Sequence, residues 1–187
     1  MKRTLLALTL LAALPFAASA AEGVSYNYVQ GGYVATEADG AADADGYGID
    51  ASVAVHENFH LFGAYTKQDL DLNTVFDDVD QWKLGVGYNY GITDKADLVT
   101  RVAYEKFDAG NGFDFDGYSA EAGVRGALGE KFEAYAMAGY EDFEQADGDF
   151  YGRVGAQVKF NENWGVSGDV KFADGDAQWF VGPRFSW

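Results

Sequence analysis

Apolar and polar residues alternate with a period of two through most of this chain. Tyr47, Ile49, Ala51, Val53 and Val55 alternate with Gly48, Asp50, Ser52 and Ala54. Trp82, Leu84, Val86, Tyr88 and Tyr90 alternate with Lys83, Gly85, Gly87 and Asn89. The same pattern recurs at Val24–Tyr28, Leu61–Tyr65, Leu98–Tyr104, Tyr118–Val124, Phe132–Tyr140, Phe150–Phe160, Trp164–Phe172 and Ala177–Trp187. Side chains alternate faces along a strand, so each segment reads as a strand with one apolar and one polar face. No segment sustains a 3.6-residue apolar stripe, which argues against helix.

Ten such segments leave nine connections, and these come in two kinds. Four are tight and polar, around His56–Asn58, Gly91–Ala96, Gly129–Lys131 and Asn161–Asn163. Five are acidic and mostly longer: Ala35–Gly46, Gln68–Asp80, Asp108–Gly117, Phe143–Asp149 and Ala173–Asp176. The two kinds alternate strictly. Short turns at one end and longer loops at the other describe a transmembrane meander. The expectation is therefore an all-β chain forming a closed antiparallel up-and-down transmembrane β-barrel of ten strands, with eight as the alternative.

A soluble sandwich also alternates, so the two faces must be compared. The apolar faces carry aromatics at both ends: Trp82 with Tyr90, Phe132 with Tyr140, Phe150 with Phe160, Trp164 with Phe172 and Trp179 with Trp187. Eight residues of a strand tilted by about 40° span roughly 20 Å, close to the apolar band of such barrels. Rings at the two ends then sit at the two interfaces, where amphipathic aromatics are favoured. A sandwich core has no need of two aromatic girdles. The other face carries Lys83, Arg101, Arg125, Arg153, Lys159, Lys171 and Arg184 against Asp50, Glu105, Glu121, Glu133, Glu141 and Asp169. Charges lining a narrow lumen must pair, because an unpaired buried charge is costly. Arg101, Glu105, Glu121, Arg125, Glu133 and Arg153 are the expected members of that network.

Composition sharpens the picture in three ways. The 187 residues include 14 Phe, 12 Tyr and 24 Gly, a usage that suits a barrel. There is no cysteine, which removes disulfides, thiolate metal sites and lipid attachment to a leader-proximal Cys. The net charge of -17 argues against nucleic acid as a partner. Residues 1–20 read as a secretory signal peptide: Lys2 and Arg3, an apolar run from Leu5 to Phe16, then Ala18 and Ala20 as the small residues of a cleavage site. The barrel domain then occupies 21–187, beginning at Ala21. Losing Lys2 and Arg3 shifts the charge from -17 to -19, and most of the excess lies in acidic loops such as Asp39, Asp43 and Asp45.

Candidate chemistry is sparse. Barrel proteases and lipid-modifying barrels need a His with Asp, Ser or Glu near the outer rim. The two histidines, His56 and His60, sit at a short turn and read as a turn residue and a lumen residue. Asp39, Asp43 and Asp45, or Asp147 and Asp149, offer oxygen ligands without the spacing of a calcium loop. No catalytic residue, cofactor or dedicated metal site is expected. Divalent ions bridging loop carboxylates to lipopolysaccharide are a weaker expectation.

Two resemblances add to this reading. The C-terminal stretch Ala177–Trp187, with Gly182, Phe185 and Trp187, resembles the aromatic signal read by the barrel-assembly machinery, although Phe180 stands where that signal usually has a polar residue. Arg101–Asp108, Gly117–Glu121, Tyr135–Glu141 and Ser167–Asp176 are similar to a small outer-membrane protein family of xanthomonad bacteria. That family was once proposed to supply a secreted activator of plant immunity and a quorum-sensing signal. The resemblance covers nearly the whole chain. It implies an outer-membrane location, release in outer-membrane vesicles and an association with virulence, and it transfers no catalytic residue. The leading functional expectation is a non-enzymatic surface barrel. A narrow pore for ions or small solutes and a secreted signalling protein are the alternatives.

Overall fold

The computed structural model describes residues 20–38, 43–70, 78–109, 114–144 and 147–187. Ten strands follow in chain order: β1 (Tyr28–Glu37), β2 (Ala44–His56), β3 (Phe59–Leu70), β4 (Asp78–Thr93), β5 (Ala96–Asp108), β6 (Asp114–Ala127), β7 (Phe132–Phe143), β8 (Asp149–Lys159), β9 (Trp164–Ala173) and β10 (Asp176–Ser186). Each pairs antiparallel with its sequence neighbours, and β1 pairs with β10 to close the sheet. The eight-stranded alternative is thereby overturned. All ten alternating segments pair, and closure leaves no open sheet edge, which is what a lipid environment demands.

The register converts the sequence alternation into an inside and an outside. Gln30, Asp50, Ala64 and Lys83 lie in one row across β1 to β4, and Glu105 and Gly117 continue it across β5 and β6. These residues face inward. The neighbouring positions face outward and remain exposed although apolar: Leu84 is 69% exposed, Phe150 80%, Trp82 57% and Val102 55%. A belt of exposed aliphatics bounded by exposed Trp, Tyr and Phe is the exterior of a barrel solvated by hydrocarbon, not by water.

The connections divide as the two ends require. At the short-turn end, β2 and β3 are joined across Glu57 and Asn58, and register irregularities fall at Ala54/His56 and Gly91/Thr93. At the long-loop end the strands run further than the sequence suggested. β4 has 16 residues and β6 has 14, whereas about 9–11 tilted residues cross a bilayer. The surplus forms ribbons beyond the apolar belt. Lys67 pairs there with Asp78 at 2.5 Å, and Lys106 with Asp114 at 3.1 Å. The connection Ala173–Asp176 is a two-residue hairpin at Asp174-Gly175, with φ of 45° and 91°. A turn with both central residues at positive φ matches the twist of the strands, and Asp-Gly tolerates it.

One part of the alternation is misassigned by its pattern. Val24, Tyr26 and Tyr28 read as the apolar, outward face of a first strand. In the structure β1 starts at Tyr28, and Val29 and Tyr33 are its outward residues. Val24, Tyr26 and Tyr28 are 8%, 1% and 5% exposed. The chain before Tyr28 leaves the sheet and folds into the short-turn mouth of the barrel.

Candidate functional site

The closed sheet encloses a lumen, and charged side chains fill much of it. Near the long-loop end, Lys171 Nζ lies 2.5 Å from Glu141 Oε2. Lys83 Nζ lies 2.7 Å from Glu105 Oε1, and Gln81 Nε2 donates to Glu105 Oε2 at 3.0 Å. At mid-height Arg153 donates two parallel bonds to Asp169, at 2.9 and 3.0 Å. Arg101 approaches Glu121 at 3.4 Å, and Tyr151 Oη donates to the other Glu121 oxygen at 3.1 Å. Nearer the short-turn end Arg125 grips Glu133 Oε1 through Nε at 2.7 Å and a terminal nitrogen at 2.5 Å. Lys159 stands 3.5 Å from Glu133 Oε2.

The six residues expected to form the network all point inward, but the pairing differs from a simple Arg–Glu alternation. Arg153 takes Asp169, and Glu105 takes Lys83. Arg184 has no carboxylate within ion-pair distance among the described residues. Its guanidinium lies over the Tyr28 ring at 3.5 Å from the centroid and donates to Ser25 O at 3.1 Å. A weakly hydrated planar cation stacks well on an aromatic face, which partly replaces the missing anion.

Bulk also fills the lumen. His60 is fully buried and stacks on Tyr26, with ring centroids 4.6 Å apart. It accepts from Arg101 Nε through Nε2 at 3.3 Å. Gly87 lies opposite His60 in the β3–β4 register, and a Cβ there would fall 2.1 Å from His60 Nε2. The imidazole occupies the volume that any larger residue on β4 would need. His60 is thus committed to packing at the short-turn half of the lumen. His56 ends β2 beside the turn, so neither histidine reaches the long-loop rim.

Sequence reasoning missed the closure at the short-turn end. Residues 21–27 tuck into the mouth and are held from several strands. Glu22 N donates to Asp94 O at 2.6 Å, and Arg125 donates to Ser25 O at 2.9 Å. Ala54 N donates to the Asn27 side chain at 2.8 Å. Lys159 Nζ donates to Gly23 O. Ala21, Val24 and Tyr26 form one buried cluster with Ala54, Val99 and Met137. The available signal was the inward parity of Val99 and Met137: two apolar lumen positions need an apolar partner.

The remaining space shrinks toward that plug. A mouth cavity of about 430 Å³ is lined by Phe107, Phe115, Phe143 and Gln178. A mid-lumen cavity of about 100 Å³ lies among Lys83, Arg101, Glu121 and Arg153. Below it, about 20 Å³ remains beside Arg125, Glu133 and Arg184, room for one water or so.

The other sequence candidates fall elsewhere. Gly182 faces inward at the closing seam, where a Cβ would fall 2.1 Å from Gly31 O. Phe185 packs against Trp164 at 5.0 Å and Trp187 at 6.1 Å between ring centroids. Phe180 points inward and lines the mid-lumen cavity. Ala20 is half-buried and packs on the plug cluster. Ala18 and Asp39 lie outside the described residues. Among the described residues, no three His, Asp or Glu side chains are grouped to hold a metal ion.

No family model and no curated relative matches the chain. Among solved structures it is similar to a KdgM porin, with 11% identity, a TM-score of 0.49 and coverage of 85% of this chain and 99% of that one. It is similar to a NanC porin at 6% identity and a TM-score of 0.46, covering 86% and 99%. It is also similar to Ail, the attachment invasion locus protein of Yersinia pestis, at 13% identity and a TM-score of 0.43, covering 88% and 100%. At these identities and scores the likenesses add nothing to the closed topology already described.

Proposed function

We propose that the protein is a non-enzymatic barrel of the Gram-negative outer membrane, with a structural or surface-interaction role. One observation carries this reading: the exposed apolar belt surrounds a lumen filled by ion pairs and stopped by residues 21–27. The belt asks for lipid. The filled lumen is poorly suited to solute passage, and no histidine lies at the outer rim for chemistry. In this orientation the short turns and both ends of the barrel face the periplasm. The long acidic ribbons face outward, where divalent ions can bridge them to anionic lipopolysaccharide. Release in outer-membrane vesicles follows from the same location.

Membrane fractionation tests the reading. The protein is expected in the outer-membrane fraction, resistant to alkaline extraction, and its apparent gel mobility should change on boiling. A main pool soluble in the periplasm, with no heat-dependent mobility change, overturns it.

A further inference from the structure

Asp97 sits at the start of β5, just inside the short-turn mouth, and it is fully buried. Glu105 and Glu133, the other fully buried carboxylates, each have a Lys or Arg nitrogen within 3.5 Å. Among the described residues Asp97 has none. Its contacts are neutral donors. Tyr26 Oη donates to Oδ2 at 3.0 Å. The backbone nitrogen of Ala21 lies 3.2 Å from Oδ1 and 3.3 Å from Oδ2. A carboxylate this deep without a cation is costly. The atom placed symmetrically against both of its oxygens belongs to the residue that follows the small-residue site Ala18-Ser19-Ala20.

We infer that removal of the signal peptide after Ala20 gives Ala21 an ammonium group that pairs with Asp97 and locks residues 21–27 into the barrel mouth. The covalent step is hydrolysis by a leader peptidase. Water breaks the Ala20–Ala21 peptide bond, its hydroxyl goes to the Ala20 carbonyl carbon, and its hydrogen goes to the Ala21 nitrogen. That nitrogen takes one further proton from solvent, since an α-amine titrates near about 7.7–8.0. The amide with one donor hydrogen becomes an ammonium with three, and Asp97 gains its missing countercharge. In the unprocessed chain the same pocket holds only a neutral amide, so the ion pair, which reinforces the bonds already holding residues 21–27, is specific to the processed chain. Asp97 is therefore a binding site for this chain's own new amino terminus.

The experiment uses mature protein purified from outer membranes. Its first residue is read by mass spectrometry, and an amine-reactive acylating reagent is applied at pH 8 to folded and urea-unfolded samples. Digestion separates the α-amine from lysine side chains. The expected first residue is Ala21, with its α-amine acylated at least tenfold more slowly in the folded barrel. In Asp97→Asn that protection should fall to threefold or less. A second variant, carrying Gly-Ser ahead of Ala21, is refolded in parallel and should unfold at a lower temperature than the native form. A different first residue, full reactivity in the folded wild type, undiminished protection in Asp97→Asn or an unchanged midpoint with the extension each overturns the inference. If Asp97→Asn does not fold, the extension and the wild-type protection decide. None of these results depends on whether the barrel has a surface partner.

Discussion

Arg125→Ala is the sharpest perturbation of the lumen. Arg125 and Glu133 are each 2% exposed, so both ends of the pair are dry. Truncating the arginine removes two bonds to Glu133 Oε1, the bond to Ser25 O, and the stacking over Tyr26 at 4.8 Å. Breaking a buried pair by deleting one partner costs about 3–5 kcal/mol, because the survivor stays charged. Loss of a desolvated cation–π contact adds on the order of 1 kcal/mol. Lys159, 3.5 Å from Glu133 Oε2, offsets part of this by closing on the orphaned carboxylate. The expected net loss is about 3 kcal/mol. Glu133→Gln added to Arg125→Ala neutralises the orphan and should restore about 1–2 kcal/mol, a coupling that a double-mutant cycle reads directly. Asp43→Ala, in the exposed segment just before β2, is the control and should unfold as wild type does. The assay is urea unfolding in lipid vesicles, followed by gel mobility and tryptophan fluorescence. If Arg125→Ala lies within about 0.5 kcal/mol of wild type, the range of an ordinary surface substitution, the filled-lumen account fails.

Three further expectations rest on separate features. Gly87→Ala places a Cβ against His60 Nε2 and should cost about 1–3 kcal/mol by overpacking, with a change in near-ultraviolet circular dichroism as the His60–Tyr26 stack shifts; wild-type stability and spectrum would contradict the packing. Tyr26→Ala removes the largest ring of the plug and should cost about 3–5 kcal/mol, as large-to-small core changes do, measured in the same vesicles. Deleting Phe185–Trp187 removes the outward aromatic cluster of β10 beside the closing seam and should abolish outer-membrane accumulation, scored by immunoblot of fractionated cells; normal levels would show that these residues are no assembly signal.

The exterior and the strand count were legible because lipid imposes one simple rule at every outward position. Trp82, Leu84, Val86, Tyr88 and Tyr90 announce themselves, since no polar residue is tolerated among them. The interior obeys a weaker rule. It must balance charge and volume, and many pairings satisfy that, so Arg101, Arg125 and Arg153 could be assigned to the lumen but not to their partners. Only the exact register of neighbouring strands brings Arg153 beside Asp169 and Lys83 beside Glu105. The plug was illegible for a different reason. Val24, Tyr26 and Tyr28 alternate as a strand does, yet Val24 and Tyr26 pack on the lumen's own apolar patch at Val99 and Met137, and Tyr28 lies beneath the Arg184 guanidinium. Asp97 passed unnoticed because its partner is a backbone nitrogen far away in the chain, to which side-chain patterning is blind.

Planar-bilayer recording of the mature barrel tests the closed lumen most directly. A chain lacking residues 21–27 is recorded beside it, and both are first shown to be heat-modifiable and lipid-inserted. The native barrel should give no steady ohmic steps, because ion pairs and the plug leave about 20 Å³ at the narrowest described cavity. The shortened chain should show brief or steady openings, as the short-turn mouth loses its stopper. Stable porin-like conductance from the native barrel would contradict the account and favour a solute pore.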